Sequence, residues 1–100
     1  MANIVEETLA SSLDAVSATF VSSSGGVNSV TVWGTYVGTV VLEKSFDGGT
    51  VWHIQNEFPD TDTVRTITIR EVEYNVDYRF RFAVYTSGDP DVRIAAGNNF

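Results

Sequence analysis

The stretch that most restricts the fold is residues 38–52, which has the pattern of two β-strands joined by a tight turn. Before the turn Val40 and Leu42 fall on one face, as expected of a strand whose successive side chains point to opposite sides. Asp47-Gly48-Gly49 then supplies residues that accept the positive φ angles of a tight reversal. The stretch therefore predicts an antiparallel hairpin, and with it an all-β protein.

The same alternation continues along the chain and is clearest at 78–86. One face of that segment is aromatic or apolar, formed by Tyr78, Phe80, Phe82 and Val84. The other face carries Arg79 and Arg81, and a slip of one residue would bury both guanidinium groups, so the register is strongly specified. We expect this strand to be central in a Greek-key β-sandwich of about seven strands. The predicted strands cover 18–22, 28–36, 39–46, 51–55, 64–70, 78–86 and 91–96.

Residues 1–17 differ in character from the rest of the chain. Val5, Leu9 and Val16 fall near helical spacing, which indicates a short helix. A helix of this length is marginal in water, so it needs a docking surface; a frayed chain end is the alternative. We therefore expect two parts, an N-terminal arm at 1–17 and a β-sandwich domain at 18–100.

The charge balance and the lack of cysteine exclude several classes of function. Thirteen acidic residues against six basic ones give a formal net charge of −7, with no basic stripe. Phosphate backbones and anionic membranes therefore lack an electrostatic attraction to this chain, and neither is expected as a partner. The absence of cysteine excludes disulfides and thiolate metal sites. No apolar run approaches the roughly 20 residues of a membrane span, and no secretory signal pattern is present, so a soluble chain is expected.

The sequence predicts no catalytic, cofactor-binding or metal-binding residue. His53 is the single histidine and has neither cysteine nor a second imidazole to complete a zinc site. The serines at 22–24 have no base placed for them. Carboxylates in two acidic connections are the weaker alternative, either as oxygen ligands for Ca²⁺ or as a hydrolase pair, but Asp is also favoured in turns for its geometry alone. They are Glu57, Asp60, Asp62, Asp89 and Asp91.

Framework residues in the second half of the chain resemble those of fibronectin type III and related immunoglobulin-like domains. Val72 is followed by Tyr78, by the alternating strand 79–84 and by a Ser87-Gly88 turn, an arrangement similar to the penultimate strand of those domains. Trp33 similarly resembles their early-strand core tryptophan. The resemblance implies a Greek-key sandwich in which Tyr78 forms a corner by hydrogen bonding back to the backbone.

A further resemblance is to small structural proteins of tailed bacteriophage virions. It lies in GTYVGTVVLEKSFDGGTVW at 34–52, YRFR at 78–81 and YTSG at 85–88, and extends over about 27–96. It implies a non-enzymatic capsid decoration or cement protein on the outside of the head, assembled in the host bacterial cytoplasm. The implied partners are the major capsid protein or another virion protein, and further copies of the chain in a dimer or trimer.

The expected contacts with such partners involve the arm and exposed aromatics or strand edges. The candidate interface residues are Ile4, Val5, Leu9, Leu13, Tyr36, Phe58, Tyr85 and Phe100. We expect deletion of residues 1–16 to leave folding intact while lowering capsid binding. The alternative function is a carbohydrate-binding or adhesive module of a phage fibre, spike or tail component, with Tyr36, Tyr85 or Trp52 stacking on sugars.

Overall fold

The computed structural model describes residues 4–21, 26–59, 64–71, 73 and 76–96. The described residues form strands and no helix. In chain order the strands are β1 (Ile4–Thr8), β2 (Phe20–Val21), β3 (Gly26–Trp33), β4 (Tyr36–Ser45), β5 (His53–Pro59), β6 (Arg65–Glu71), β7 (Asp77–Gly88) and β8 (Asp91–Ala96). The all-β class is confirmed, and each of the predicted strands overlaps one of β2 to β8.

The eight strands form two antiparallel sheets of four. Sheet I has the order β1-β8-β3-β6, and sheet II has the order β2-β7-β4-β5. The sandwich is confirmed, but its strand order differs from that of an immunoglobulin-like domain. There the last two strands are neighbours in one sheet, whereas here β7 and β8 lie in different sheets. Eight strands divided in this way have the order of a jelly roll, which is built from two Greek keys.

The core lies between the sheets and takes alternate residues from each strand. Central strand β7 supplies its aromatic face, as the alternation predicts, and β3 supplies Val30 and Val32. Edge-to-face ring contacts join Phe20 to Tyr78 and Tyr36 to Phe82. The buried cluster comprises Leu9, Phe20, Val30, Val32, Tyr36, Val40, Leu42, Phe58, Ile69, Val76, Tyr78, Phe80, Phe82, Val92 and Ile94.

The predicted hairpin is confirmed as β4 and β5, which pair antiparallel. Gly48 and Gly49 have φ angles of +74° and +97°, which glycine adopts without a side-chain clash. Asp47 Oδ1 accepts hydrogen bonds from the backbone N–H groups of Thr50 and Val51, at 3.1 and 3.0 Å. These bonds, with the hydroxyl of Ser45 donating to the same oxygen at 2.7 Å, lower the pKa of Asp47. The turn is therefore held by one side chain as well as by its glycines.

The helical interpretation of the N-terminal segment is wrong. Ile4–Thr8 forms edge strand β1, which pairs with β8, and Leu9 is buried in the core with 1% of its surface exposed. The short sequence Ile-Val-Glu-Glu-Thr fits both periods, and pairing with a strand from the far end of the chain decides between them. The described part of the expected arm is thus built into the sandwich, so deletion of 1–16 would remove a strand and a core residue.

Sheet II contains register shifts that change which side chains face the core. The pairing of β4 with β7 skips Ala83 and Thr86, so Phe82 and Tyr85 both lie on the core side. Val84 is consequently exposed, and its predicted place on the core face is wrong. Opposite Tyr85 stands Gly38, with a φ of +137°. A Cβ atom there would lie 1.9 Å from the carbonyl oxygen of Val84, so only glycine fits this bulge.

Candidate functional site

A cluster of charged side chains lies at the centre of the outer side of sheet II. Glu43, on β4, accepts hydrogen bonds from two arginines of the neighbouring strand β7. Its Oε1 is 2.9 Å from Arg79 Nε and its Oε2 is 2.8 Å from Arg81 Nε. The three residues meet because β4 and β7 pair directly, with Glu43 opposite Arg79. Both carboxylate oxygens are therefore occupied by guanidinium donors.

These three residues, Glu43, Arg79 and Arg81, form what we call the Glu43 cluster. Its carboxylate is largely shielded from water, although it is on an outer face. Only 4% of the surface of Glu43 is exposed, because the long arginine side chains lie over it. The guanidinium of Arg79 also stacks on Trp52, with its central carbon 4.1 Å from the ring centroid. Trp52 in turn donates from Nε1 to the carbonyl oxygen of Gly49 at 3.0 Å. The cluster is thus joined to the hairpin turn.

The segment before β2 is held against the same cluster. Arg81 Nη1 lies 2.8 Å from Asp14 Oδ1, and the hydrogen bond to Glu43 together with this pair raises the pKa of Arg81. The backbone N–H of Asp14 donates to Phe82 O at 2.9 Å, and that of Ser17 donates to Phe80 O at 3.0 Å. Residues 14–17 therefore continue the outer edge of β7 ahead of β2. Carboxylates bound by guanidinium groups in this way are suited to holding strands together.

Exposed apolar side chains share the outer side of sheet II with the Glu43 cluster. Val16 pairs with Arg81 and Ile54 pairs with Glu43, so these residues lie on the same side as the cluster. Val37 and Val84 extend the surface along β4 and β7. Each of the four is between 44% and 55% exposed. We call Val16, Val37, Ile54 and Val84 the contact face.

The predicted interface residues that the structure describes fall into three groups: buried, exposed and partly buried. Leu9, Tyr36 and Phe58 are buried at 1%, 3% and 2% exposure, so they form core and not surface. The hydroxyl of Tyr36 donates to the carbonyl oxygens of Phe58 and Pro59, at 3.0 and 3.2 Å. Aromatic residues near strand ends resemble exposed contact residues in sequence, but a jelly roll needs bulky side chains to close its ends.

The remaining interface candidates are spread over the molecule. Ile4 and Leu13 are exposed, whereas Val5 and Tyr85 are partly buried against the core. The structure does not gather them into one surface. Phe100 lies outside the described residues.

The two framework aromatics behave differently from the immunoglobulin-like expectation. The hydroxyl of Tyr78 donates to the side chain of Glu71, at 2.7 Å from Oε1, so the corner is closed by a carboxylate and not by backbone. Burial raises the pKa of Tyr78, and the hydrogen bond and charge of Glu71 act in the same direction. Trp33 is only half-buried and is on the outer side of sheet I, opposite Asp91, and the expectation of a core tryptophan is wrong. Val72 lies outside the described residues.

The described members of the weaker acid and metal candidates are not brought together into one site. His53 is exposed beside Phe46, with ring centroids 5.9 Å apart. Asp91 accepts a hydrogen bond from the hydroxyl of Thr8, while Asp60 and Asp62 lie outside the described residues. Among the residues described, no group of three or more His, Cys, Asp or Glu side chains could hold a metal ion. No membrane-spanning helix is found in that part of the chain.

Sequence reasoning missed the Glu43 cluster and the contact face. The alternation did place Arg79 and Arg81 outward, but their partner lies on another strand, 36 and 38 positions away. The indication available in the sequence was Glu43, which lies on the outward side of the adjacent hairpin strand. Val84 was missed because the skipped residues of β7 cannot be read from local alternation.

Comparisons with family models, with curated proteins and with solved structures found no match to this chain.

Proposed function

We propose that this chain is a non-enzymatic structural protein of a tailed bacteriophage virion, which binds the outer surface of the head as a decoration or cement protein and stabilises it. Its partner is the major capsid protein or another virion protein. The proposal combines the kind of surface that the fold presents with the resemblance carried by residues 34–52, 78–81 and 85–88.

The observation that carries the proposal is the contact face. Four apolar side chains, Val16, Val37, Ile54 and Val84, are about half exposed around a shielded charged centre. Exposed apolar residues grouped on one face and rimmed by polar groups are typical of surfaces that bind other proteins. The Glu43 cluster keeps the underlying strands in place without offering an unpaired acid or base. Such a face favours adhesion over chemistry.

A repeating lattice makes a modest contact sufficient. A small oligomer that binds several capsid subunits at once gains affinity through effective concentration, so each single contact need not be strong. The acidic surface also keeps free copies soluble before assembly. A formal net charge of −7 on 100 residues is in the range that suppresses non-specific association.

The test is binding to purified phage heads that lack this protein. We expect the wild-type chain to bind, and the double variant V37E/V84E to bind at least tenfold more weakly, because two charges must then be desolvated against the capsid. The matched control is V27E/V64E, which makes the same replacements at valines exposed elsewhere. Equal binding by both variants would mean that the contact face is not the binding surface. Failure of the wild-type chain to bind heads would refute the proposal itself.

A second candidate is an adhesive or carbohydrate-binding module of a fibre, spike or tail component. The observation in its favour is Phe46, which is exposed at the hairpin tip beside the exposed ring of His53. Tyr36 is buried, which removes one of the expected sugar platforms, and Arg79 stacks on the ring of Trp52 as Lys44 Nζ lies over that of Phe46, 5.2 Å from its centroid. A glycan screen with wild type and F46A distinguishes the candidates: glycan binding lost in F46A supports adhesion, and no glycan binding beside clear head binding excludes it.

A further inference from the structure

Two of the six basic residues of this acidic chain have no carboxylate partner among the described residues. Lys44, Arg79, Arg81 and Arg93 are each within 4 Å of one or two carboxylates. The two without such a pair are Arg65 and Arg70, and both lie on β6. In a chain with more than twice as many acids as bases, unpaired arginines concentrated on one strand indicate an acidic partner.

Strand β6 is also an edge of sheet I. It pairs with β3 on one side, and over the described residues no strand pairs with its other side. The opposite edge of the same sheet is β1, which within the described part of the chain pairs only with β8. An open strand edge is a template for a further antiparallel strand. Edge β1 carries Glu6 and Glu7 and no basic residue, whereas β6 carries two arginines and one acid, Glu71, so the two edges have opposite net charge.

The direction of the strands permits these two edges to pair between copies. Successive neighbours in sheet I are antiparallel, so β1 runs opposite to β6. A second copy that continues the sheet therefore brings its β1 to β6 in antiparallel orientation, with the core face of each strand on the same side.

One register brings each glutamate of β1 near an arginine of β6, although within its own copy Glu6 already binds Arg93 at 3.0 Å and Glu7 accepts the N–H of Ala18 at 3.0 Å. If Thr8 of the second copy is opposite Thr66, then its Val5 is opposite Ile69, and an apolar contact extends along the core side. In that register Glu6 is diagonal to Arg70 on the outer face, and Glu7 is diagonal to Arg65 on the core face. Diagonal neighbours on one face of an antiparallel pair are about 7–8 Å apart between their backbones, within reach of Glu and Arg side chains.

We propose that the open edge of β6 binds the β1 edge of a second copy of this chain, so that sheet I continues from one copy to the next. This inference rests on the proposed function in one respect, because the proposed decoration oligomer requires that copies of the chain contact one another. The contact is head-to-tail, and it gives a ring if the rotation between copies closes.

Disulfide trapping tests the register directly, since the chain has no cysteine of its own. Variants T8C and T66C, which leave all four charged residues intact, are mixed under mild oxidation. We expect a disulfide-linked dimer from the mixture and none from either variant alone. The matched control, T8C mixed with T86C, should give no dimer, because Thr86 is exposed on sheet II. A dimer from T68C alone would overturn the proposal. The Thr68 residues of two copies meet only if the two β6 edges pair with each other.

The charge complementarity is tested by light scattering over a concentration series. We expect R65Q/R70Q to weaken self-association about tenfold, as lost cross-strand ion pairs do, and higher salt to weaken that of the wild type. The control T86E/S87E lowers the net charge by the same amount on sheet II and should associate as the wild type does. Circular dichroism of each variant confirms folding.

The outcomes separate this inference from the proposed function. A wild-type chain that stays monomeric at every concentration, or equal association of R65Q/R70Q and its control, overturns the edge pairing while head binding can still be observed. A chain that associates through T8C and T66C but does not bind heads refutes the decoration function and leaves the edge pairing standing.

Discussion

The two sheets differ in how regularly they pair. Over the described residues of sheet I, each ladder runs in continuous register, from the β1–β8 pair to the β3–β6 pair. In sheet II the register shifts once between β4 and β5 and twice between β4 and β7. Extra residues in one strand re-aim the side chains that follow them. Sheet I therefore presents the faces that simple alternation predicts, whereas sheet II departs from them at its register shifts, as at Val84.

The outer faces of the two sheets differ accordingly. That of sheet I carries an exposed Glu6–Arg93 pair and a Thr31–Thr66 hydrogen bond, beside the exposed Ile4 and Val27 and the half-buried Trp33. That of sheet II combines a shielded carboxylate with exposed valines and an isoleucine. The comparison shows that one jelly roll can build its two outer faces differently: sheet II shields a carboxylate at its centre, and its register shifts place Val84 outside the core.

The largest effect is expected at the bulge that makes sheet II irregular. Gly38→Ala adds a Cβ at 1.9 Å from a carbonyl oxygen, at a φ of +137°. We expect the free energy of unfolding to fall by about 3 kcal/mol, from overpacking and the left-handed backbone together. Gly48→Ala is the control, because it has a positive φ but open space around it, and it should cost about 1 kcal/mol. Denaturant titration measures both, and equal losses would show that the bulge does not constrain residue 38.

The next prediction compares the ion pairs of the two outer faces. Glu43→Gln removes the charge that two partly buried arginines share, and we expect a loss of about 2 kcal/mol, less than for a fully buried pair because the guanidinium groups remain partly solvated. Glu6→Gln makes the same replacement in the exposed pair of sheet I and should cost less than about 0.5 kcal/mol. Thermal and denaturant unfolding measure the difference. Equal effects would mean that the shielding of Glu43 carries no energetic consequence.

A third prediction concerns the link between the sheets. Tyr78 of β7 donates to Glu71 of β6, and Tyr78→Phe removes the donor from a buried carboxylate, at a cost of about 1.5 kcal/mol. Because the folded-state pKa of Tyr78 is raised above its ordinary 10.0, the wild-type protein loses stability as pH rises above that value, where the unfolded chain gives up the proton first. Tyr78→Phe should show less of this alkaline loss. Matching pH profiles would contradict the assignment.

The smallest effect is expected at the exposed hairpin turn of sheet II. The pKa of Asp47 is lowered below 3.8, first by the hydrogen bond from the Val51 N–H and then by Ser45. The folded protein therefore keeps the carboxylate ionised while the unfolded chain takes up a proton, and this stabilisation is present above pH 3.8 and lost as pH falls through the folded-state value. Asp47→Asn should remove that part of the acid loss. Melting temperatures of both proteins from neutral to acid pH measure it, and parallel curves would contradict it.

Much of the architecture could be predicted because it depends on short, local stretches of sequence. The β4–β5 hairpin follows from alternation and from Asp47-Gly48-Gly49, whose backbone requirements are local. The central position of β7 follows from aromatic residues on one side and arginines on the other. The candidate site was harder to predict, since Glu43, Arg81 and Asp14 come from three separate segments. Their meeting depends on which strands become neighbours.

By itself the sequence determined the all-β class, the hairpin and the outward direction of the β7 arginines, because each depends on residues close together in the chain. Only the tertiary structure decided that residues 4–8 are a strand, that β7 and β8 lie in different sheets, and that Tyr36 and Phe58 are core. The physical reason is that a strand has no stability alone. Its neighbour, register and buried side are set by partners that lie far away in the sequence, as Ile4 and Ala95 do.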